Sequence, residues 1–131
     1  VLYVSNYLLQ GTTLFTNNLV ASFKNCIAWG TNGTVDDEVV VGKQGNNSFS
    51  VSFDNCLWKV KNNPTNVTAN NIIANQDPLF DSVNVQKSIF SFRLKDGSPA
   101  INKGIATPTT LDLDGNPRPV GLPDIGCYEK Q

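Results

Sequence analysis

The chain has 131 residues, with 10 Lys plus Arg against 11 Asp plus Glu, and it contains no His. The balanced charge provides no basic stripe for a phosphate backbone, and no apolar run approaches the ~20 residues that span a bilayer. Nucleic acid and a membrane span are therefore not expected, and without His the chain alone cannot form a Ser-His-Asp or Cys-His site. Asn occupies 17 positions beside 10 Gly and 7 Pro, and strand formers lie between these turn residues, which indicates an all-β chain.

Two stretches of the chain share a strand-like motif at a spacing of 30 residues. Residues 21–30 have the sequence ASFKNCIAWG and residues 51–57 have VSFDNCL, so Phe, Asn and Cys recur in the same order. A fainter copy, LYVSNYLLQG at residues 2–11, aligns at a spacing of 19. Alternate columns are apolar, apart from one that is Asn throughout, which is the period-2 pattern of a strand with one wet face. The predicted stacked columns comprise Asn6, Asn25, Asn55, Phe23, Phe53, Ile27 and Leu57.

Repeated short strands in register predict stacked coils, because each coil can bury its apolar face only against a neighbour. An inward Asn in each coil would then bond to the Asn above and below it. The longer second spacing fits an inserted loop at about residues 31–47, with a short strand at Val39–Val41. Three unrelated strands of a β-sandwich are the alternative interpretation.

Four motifs follow one another in the last part of the chain. They are QDPLF at 76–80, FRLKDGSPAINKG at 92–104, LDLDGNPRP at 111–119 and PDIGCYE at 123–129. Together with NCIAWG, they resemble the C-terminal end of bacterial right-handed parallel β-helix proteins. Many of these proteins are exported or surface-anchored, and they are common in Bacteroidetes and other environmental bacteria. The resemblance extends over essentially the whole chain, from Leu2 to Glu129.

This resemblance implies one all-β domain built as a right-handed parallel β-helix, a solenoid of coils with an irregular C-terminal cap. Residues 1–75 would form the coils, and residues 76–131 would form the last strand and the cap. Val1 would fall inside a coil, which implies upstream coils in a longer parent protein at the bacterial cell surface or outside the cell. The cap would cover strand edges that otherwise invite association, and an exposed N-terminal coil predicts end-to-end self-association.

Relatives of this architecture include polysaccharide lyases, pectinases, epimerases and adhesins, but none of their catalytic motifs maps onto a position of this chain. The favoured hypothesis is therefore a non-catalytic segment that ends and stabilises a larger exported protein associated with polysaccharide. One alternative is a carbohydrate-binding or adhesive module, because aromatic rings stack on sugars and Lys pairs with uronic carboxylates. Its candidate contacts are Tyr7, Trp29, Trp58 and Lys59. Packing of these aromatic rings beneath loops is the competing interpretation.

A second alternative makes the chain part of a polysaccharide lyase or glycoside hydrolase, which needs two carboxylates across a groove. Asp36, Asp37, Glu38 and Asp54 could supply such a pair, although the acidic run 36–38 also fits a solvated loop. The chain alone is not expected to be an enzyme.

Two further groups of residues have a possible chemical role. Asp112, Asp114 and Asn116 alternate before a turn, like half of a calcium loop, but without the distal Glu of an EF-hand. An Asx turn is the competing interpretation, so no cofactor is expected other than this calcium candidate. Cys26 and Cys56 share a column within disulfide reach, and free thiols are favoured because register alone does not fix side-chain direction.

Overall fold

The computed structural model describes residues 1–31, 33–118 and 121–130, and these ranges contain strands and turns but no helix. None of the described segments could therefore cross a membrane as a long apolar helix. The strands in these ranges are β1 (Leu2–Ser5), β2 (Tyr7–Gln10), β3 (Thr13–Thr16), β4 (Leu19–Lys24), β5 (Ile27–Ala28), β6 (Val39–Gly42), β7 (Phe49–Asp54), β8 (Leu57–Trp58), β9 (Thr68–Asn70), β10 (Ile73–Ala74), β11 (Phe80–Asn84) and β12 (Ile89–Leu94). The predicted all-β class is confirmed.

The strands form five small sheets of two or three strands each. Three of these sheets are parallel, with the strand orders β1-β6, β4-β7-β9 and β5-β8-β10. The other two are antiparallel hairpins, β2-β3 and β11-β12.

The 30-residue repeat corresponds to the pairing of β4 with β7. Ala21 lies opposite Val51 and Phe23 lies opposite Phe53 in this parallel register. The side chains of β7 alternate between inside and outside, and Val51 and Phe53 are buried. Alternation in the sequence thus selects the face of the strand that enters the core.

An Asn bend joins the sheet β4-β7-β9 to the sheet β5-β8-β10. Asn25, Asn55 and Asn71 follow the first sheet's strands, and all three have φ between 51° and 53°. Asn tolerates this left-handed conformation better than most residues, so each chain segment turns at the same position and starts the next strand. Ile27 then lies opposite Leu57, and Leu57 lies opposite Ile73.

Two apolar clusters lie on opposite faces of the sheet β5-β8-β10. The first cluster includes Phe53, Cys56 and Trp58 and lies between this sheet and the sheet β4-β7-β9. The second cluster includes Leu57 and is covered by Leu94 of β12 and by the C-terminal segment. The hairpin β11-β12 is therefore held against the outer face of this sheet.

The prediction of a right-handed parallel β-helix is wrong. The described residues contain no closed or solenoid sheet; their strands are divided among five small sheets, two of which are antiparallel hairpins. Strands of two to six residues end at bends and turns before any continuous coil develops.

The alignment of the first copy, at a spacing of 19, also differs from the structure. β1 pairs with β6, so Leu2 lies opposite Val39 rather than Ala21. The hairpin β2-β3 occupies the region after β1. The segment expected as an inserted loop at 31–47 thus provides the strand that pairs with the start of the chain.

The C-terminal segment lies across the Asn bends, rather than over the end of a stack. The Asn25 side chain donates to the carbonyl of Ile105 at 2.8 Å and accepts from its N–H at 2.9 Å. The Asn55 side chain donates to the carbonyl of Lys103 at 2.6 Å. Ile125 is fully buried in the second cluster. Pro119 and Val120, which belong to the predicted cap, lie outside the described residues.

Candidate functional site

An apolar cavity of about 530 Å³ lies between β5, the hairpin β11-β12 and the C-terminal segment. We call it the aromatic pocket, because three of its lining residues are aromatic. Its lining residues are Asn25, Cys26, Ile27, Trp29, Phe80, Phe92, Gly126 and Cys127. β5 is an edge strand of its sheet, so the pocket forms where that sheet has no further neighbour.

The hairpin β11-β12 positions two of the three aromatic rings. The rings of Phe80 and Phe92 meet edge to face, with centroids 5.2 Å apart. Phe90 stacks on Phe92 at 6.3 Å and is itself exposed. Leu94, in the same strand as Phe92, is buried in the second apolar cluster. The burial of Leu94 therefore holds the rings of Phe80 and Phe92 at the side of the pocket.

Trp29 follows β5 and is accompanied by an ammonium group. Lys59 Nζ lies 5.8 Å from the centre of the Trp29 ring and donates to the Gly30 carbonyl at 3.2 Å. The two residues are brought together by the parallel pairing of β5 with β8, in which the Lys59 N–H donates to the Ala28 carbonyl at 3.1 Å. The arrangement combines an aromatic surface with a positive charge.

Gly126 brings the C-terminal segment against Asn25 and Ile27. The Gly126 N–H donates to the Asn25 carbonyl at 2.9 Å. A Cβ at Gly126 would lie 3.2 Å from Ile27 Cδ1, and the residue has a φ of 123°. A side chain at this position would therefore be strained and would press on the pocket lining.

The predicted glycan contacts are only partly brought together. Trp29 and Lys59 are adjacent, whereas Tyr7 lies in β2 and donates to or accepts from the Tyr3 hydroxyl at 3.0 Å. Trp58 is 3% exposed and packs edge to face on Phe53 at 5.3 Å. Trp58 therefore belongs to the core, as the alternative interpretation of packed aromatics expects, and its ring cannot stack on a sugar.

Sequence reasoning missed Phe80 and Phe92 as pocket residues. The alternation of Phe90, Phe92 and Leu94 predicts a strand, which the structure contains as β12. No local pattern indicates that this strand lies beside Trp29, because the two are more than 60 residues apart in the chain. Their proximity follows from the tertiary packing of the second cluster.

Among the predicted stacked residues, the apolar ones lie opposite each other on neighbouring strands, whereas the Asn residues make side-chain hydrogen bonds. Phe23 and Phe53, and likewise Ile27 and Leu57, lie opposite each other in parallel register. The Asn71 side chain donates to the Asn55 side chain at 3.3 Å.

Asn6 does not belong to the row of bends formed by Asn25, Asn55 and Asn71. Its side chain donates to the carbonyls of Asn17 and Gln44 and accepts from the Gln44 N–H at 2.9 Å. Asn6 thus fixes the hairpin β2-β3 and the turn after β6, rather than stacking above Asn25.

The calcium candidate forms an Asx turn in this structure. The Asp112 carboxylate accepts from the N–H groups of Asp114, Asn116 and Glu129 at 2.8 to 3.1 Å. Desolvation of Asp112 opposes these hydrogen bonds, but together they lower the pKa of its carboxyl to about 2. Asp114 instead binds the Arg93 guanidinium. Within the described ranges, no three Cys, Asp or Glu side chains are grouped so as to hold a metal ion.

None of the predicted acidic residues lines the aromatic pocket, and Asp36 forms an exposed ion pair with Lys61 Nζ at 3.5 Å. Asp37 accepts from the N–H groups of Lys61 and Asn62 at 2.7 and 2.8 Å. Glu38 is buried beside Gly30, where an added Cβ would collide with its carboxylate. Asp54 accepts from the Asn70 side chain at 2.7 Å.

The three cysteines are free thiols, and two of them line the aromatic pocket. Cys26 is half-buried and lines the pocket, whereas Cys56 is buried behind it in the first cluster. Cys127 is exposed on the C-terminal side of the pocket. The pocket therefore offers aromatic rings, an adjacent ammonium group and thiols. No protein-family model, curated protein or solved structure matches the chain.

Proposed function

We propose that the chain is a non-catalytic, polysaccharide-binding segment of a larger exported bacterial protein, and that the aromatic pocket receives a sugar ring. The observation that carries the proposal is the convergence of Trp29, Phe80 and Phe92 on one cavity of about 530 Å³. Cavities of this size, with apolar lining and few polar groups, are typical of small-ligand sites.

The chemistry of the pocket suits a sugar with a carboxylate. The apolar faces of pyranose rings pack on aromatic side chains, which here are presented by β5 and by the hairpin β11-β12. Lys59 Nζ, held at the Trp29 ring, is a donor for a uronic acid carboxylate at the same position. An acidic glycan is therefore preferred over a neutral one.

Structural roles of the carboxylates support binding over hydrolysis. A glycosidase needs two carboxylates on either side of one sugar. Asp37 and Asp54 instead accept hydrogen bonds from neighbouring loops and strands, and Asp112 closes a turn. Export and location at the cell surface rest on the four C-terminal sequence motifs alone, because the β-helix that their resemblance implies is not the observed fold.

Calorimetric titration with oligogalacturonides and with neutral cello-oligosaccharides tests the proposal. We expect saturable binding of the acidic series, and a loss of affinity of at least about tenfold in Trp29→Ala and Phe92→Ala. Lys59→Gln should reduce the preference for the acidic series, because it removes the ammonium group while keeping most of the stem.

Phe15→Ala is the matched control, since Phe15 is an exposed aromatic residue on the separate hairpin β2-β3. Its binding should equal that of the unsubstituted protein. Binding that is absent for both series, or that Trp29→Ala and Phe92→Ala leave unchanged, would overturn the proposal.

A further inference from the structure

We propose that Cys26 and Cys56 are a redox pair that becomes a disulfide when a small-molecule disulfide enters the aromatic pocket. This thiol chemistry does not depend on sugar binding. Cys26 is the attacking thiol, because it lines the pocket, and Cys56 is the resolving thiol behind it.

The backbone holds the two cysteines side by side. Lys24 lies opposite Asp54 before them, and Ile27 lies opposite Leu57 after them. The Leu57 N–H donates to the Cys26 carbonyl at 2.9 Å, so the register continues through the bend. Neighbouring parallel strands are about 4.8 Å apart, which is within the range of Cα separations that a disulfide bridges.

The two thiols occupy equivalent positions, each near the carbonyl oxygen two residues before it. Cys26 Sγ lies 3.2 Å from the Lys24 carbonyl oxygen, and Cys56 Sγ lies 3.4 Å from the equivalent oxygen of Asp54. Cys56 Sγ also lies 3.6 Å from the carbonyl oxygen of Phe23, in the strand that leads to Cys26. Cys56 therefore leans toward the strand that carries Cys26, which is the direction that a Cys26–Cys56 disulfide needs.

The Cys26 and Cys56 thiols differ in reactivity because their pKa values are shifted in opposite directions. Interaction with the Cys56 thiol lowers the pKa of Cys26 to about 7, against the opposing effect of burial. The same interaction and burial raise the pKa of Cys56. The lowered pKa favours the thiolate form of Cys26, which lines the wall of the pocket.

The reaction is a two-step thiol–disulfide exchange that balances without another reactant. The Cys26 thiolate attacks one sulfur of the small disulfide, forms a mixed disulfide and releases one thiolate. Cys56 loses its proton to solvent and attacks the Cys26 sulfur, which releases the second thiolate. The protein loses two electrons, which reduce the small disulfide to two thiols.

Glutathione disulfide is the probe for the experiment, with the full chain carrying Cys127→Ser. We expect a product lighter by about 2 Da than the reduced chain, with Cys26 and Cys56 joined in its peptide map. Dithiothreitol should restore both thiols. The Cys127→Ser change keeps the pair intact and removes the other thiol of the pocket.

The unsubstituted chain and Cys56→Ala complete the test. The unsubstituted chain should give the same Cys26–Cys56 peptide, and Cys56→Ala should stop at a glutathione adduct on Cys26. Peptide mapping of the unsubstituted chain needs no folded variant, so the result does not depend on the stability of Cys56→Ala. A lasting adduct on Cys26 in the presence of Cys56, a Cys26–Cys127 linkage, or unreacted thiols would each overturn the proposal.

Discussion

The rings of Phe23 and Phe53 are stacked across β4 and β7, with centroids 4.7 Å apart and planes 12° from parallel. Each Phe is followed two residues later by an Asn at a left-handed bend, and then by a Cys. The stack therefore aligns two bends and the strands that leave them. Phe53 also contacts the Trp58 ring, which connects the stack to β8, the strand that follows β7.

Removal of the Phe53 ring should strongly destabilise the protein. Phe53 is 1% exposed, so Phe53→Ala leaves a cavity in the first cluster and should lower the free energy of unfolding by about 3 to 5 kcal/mol. Urea denaturation followed by tryptophan fluorescence measures the change. Phe15→Ala, at an exposed position of the hairpin β2-β3, should change it by less than about 0.5 kcal/mol. Equal effects of the two substitutions would show that the stack is not a core element.

The sequence predicts part of this fold because some of the paired strands have similar sequences. Ala21 and Phe23 recur as Val51 and Phe53 with the same alternation, and this similarity predicts the register of β4 with β7. The partner of β1 is β6, and the sequence of β6 has three consecutive Val and no alternation to identify it. Local patterns thus locate strands, but they identify a partner only where its sequence repeats.

Less of the candidate site could be predicted from the sequence, because part of the aromatic pocket comes from segments that do not repeat. Trp29 and Lys59 directly follow the neighbouring strands β5 and β8 of the repeat, so their proximity follows from the alignment. Phe80 and Phe92 reach the pocket through the packing of Leu94 in the second cluster, which is a long-range contact. The burial of Trp58 depends on the first cluster as a whole, and alternation in a two-residue strand does not reveal it.

The Asn25 bend should tolerate Gly better than Ala. Asn25 has a φ of 53°, a conformation that costs a residue with a Cβ roughly 1 kcal/mol or more, and its side chain binds both backbone groups of Ile105. Asn25→Gly loses only the two hydrogen bonds, whereas Asn25→Ala loses these and adds backbone strain. Thermal unfolding should therefore rank the unsubstituted protein above Asn25→Gly and Asn25→Gly above Asn25→Ala. Equal midpoints for the two variants would argue that the left-handed backbone is not a source of strain.

Alkylation of Cys26 should depend on pH with a midpoint near 7. Interaction with the Cys56 thiol lowers the pKa of Cys26 to about 7, so the thiolate fraction of Cys26, and with it the alkylation rate, falls as pH decreases through this value. Cys56→Ala removes this interaction and should move the midpoint upward, toward that of an ordinary thiol. Iodoacetamide labelling of the Cys127→Ser chain, quantified by mass spectrometry of the Cys26 peptide, measures both midpoints. A midpoint that Cys56→Ala leaves in place would exclude Cys56 as the cause of the lowered pKa.

The Asp112 turn should make the protein sensitive to acid over a defined range. Hydrogen bonds hold the pKa of Asp112 at about 2, below the usual value of 3.8, so the folded state favours the ionised carboxyl. The resulting stability is fully present above about pH 4 and is lost as pH falls through about 2. Asp112→Asn removes the charge that the three N–H groups surround, and it should lower the unfolding temperature at neutral pH.

The difference in unfolding temperature between the unsubstituted protein and Asp112→Asn should narrow from pH 4 downward. Below pH 2 the Asp112 carboxyl is protonated in both the folded and unfolded states, so only the neutral turn geometry distinguishes the two proteins. Asp96→Asn is the control, because that side chain is 95% exposed and its ion pair with Lys130 lies in solvent. Calorimetry at pH 7, 4, 3 and 2 measures the trend. A difference that stays constant from pH 7 to 2 would assign the effect of Asp112→Asn to lost geometry instead of lost charge.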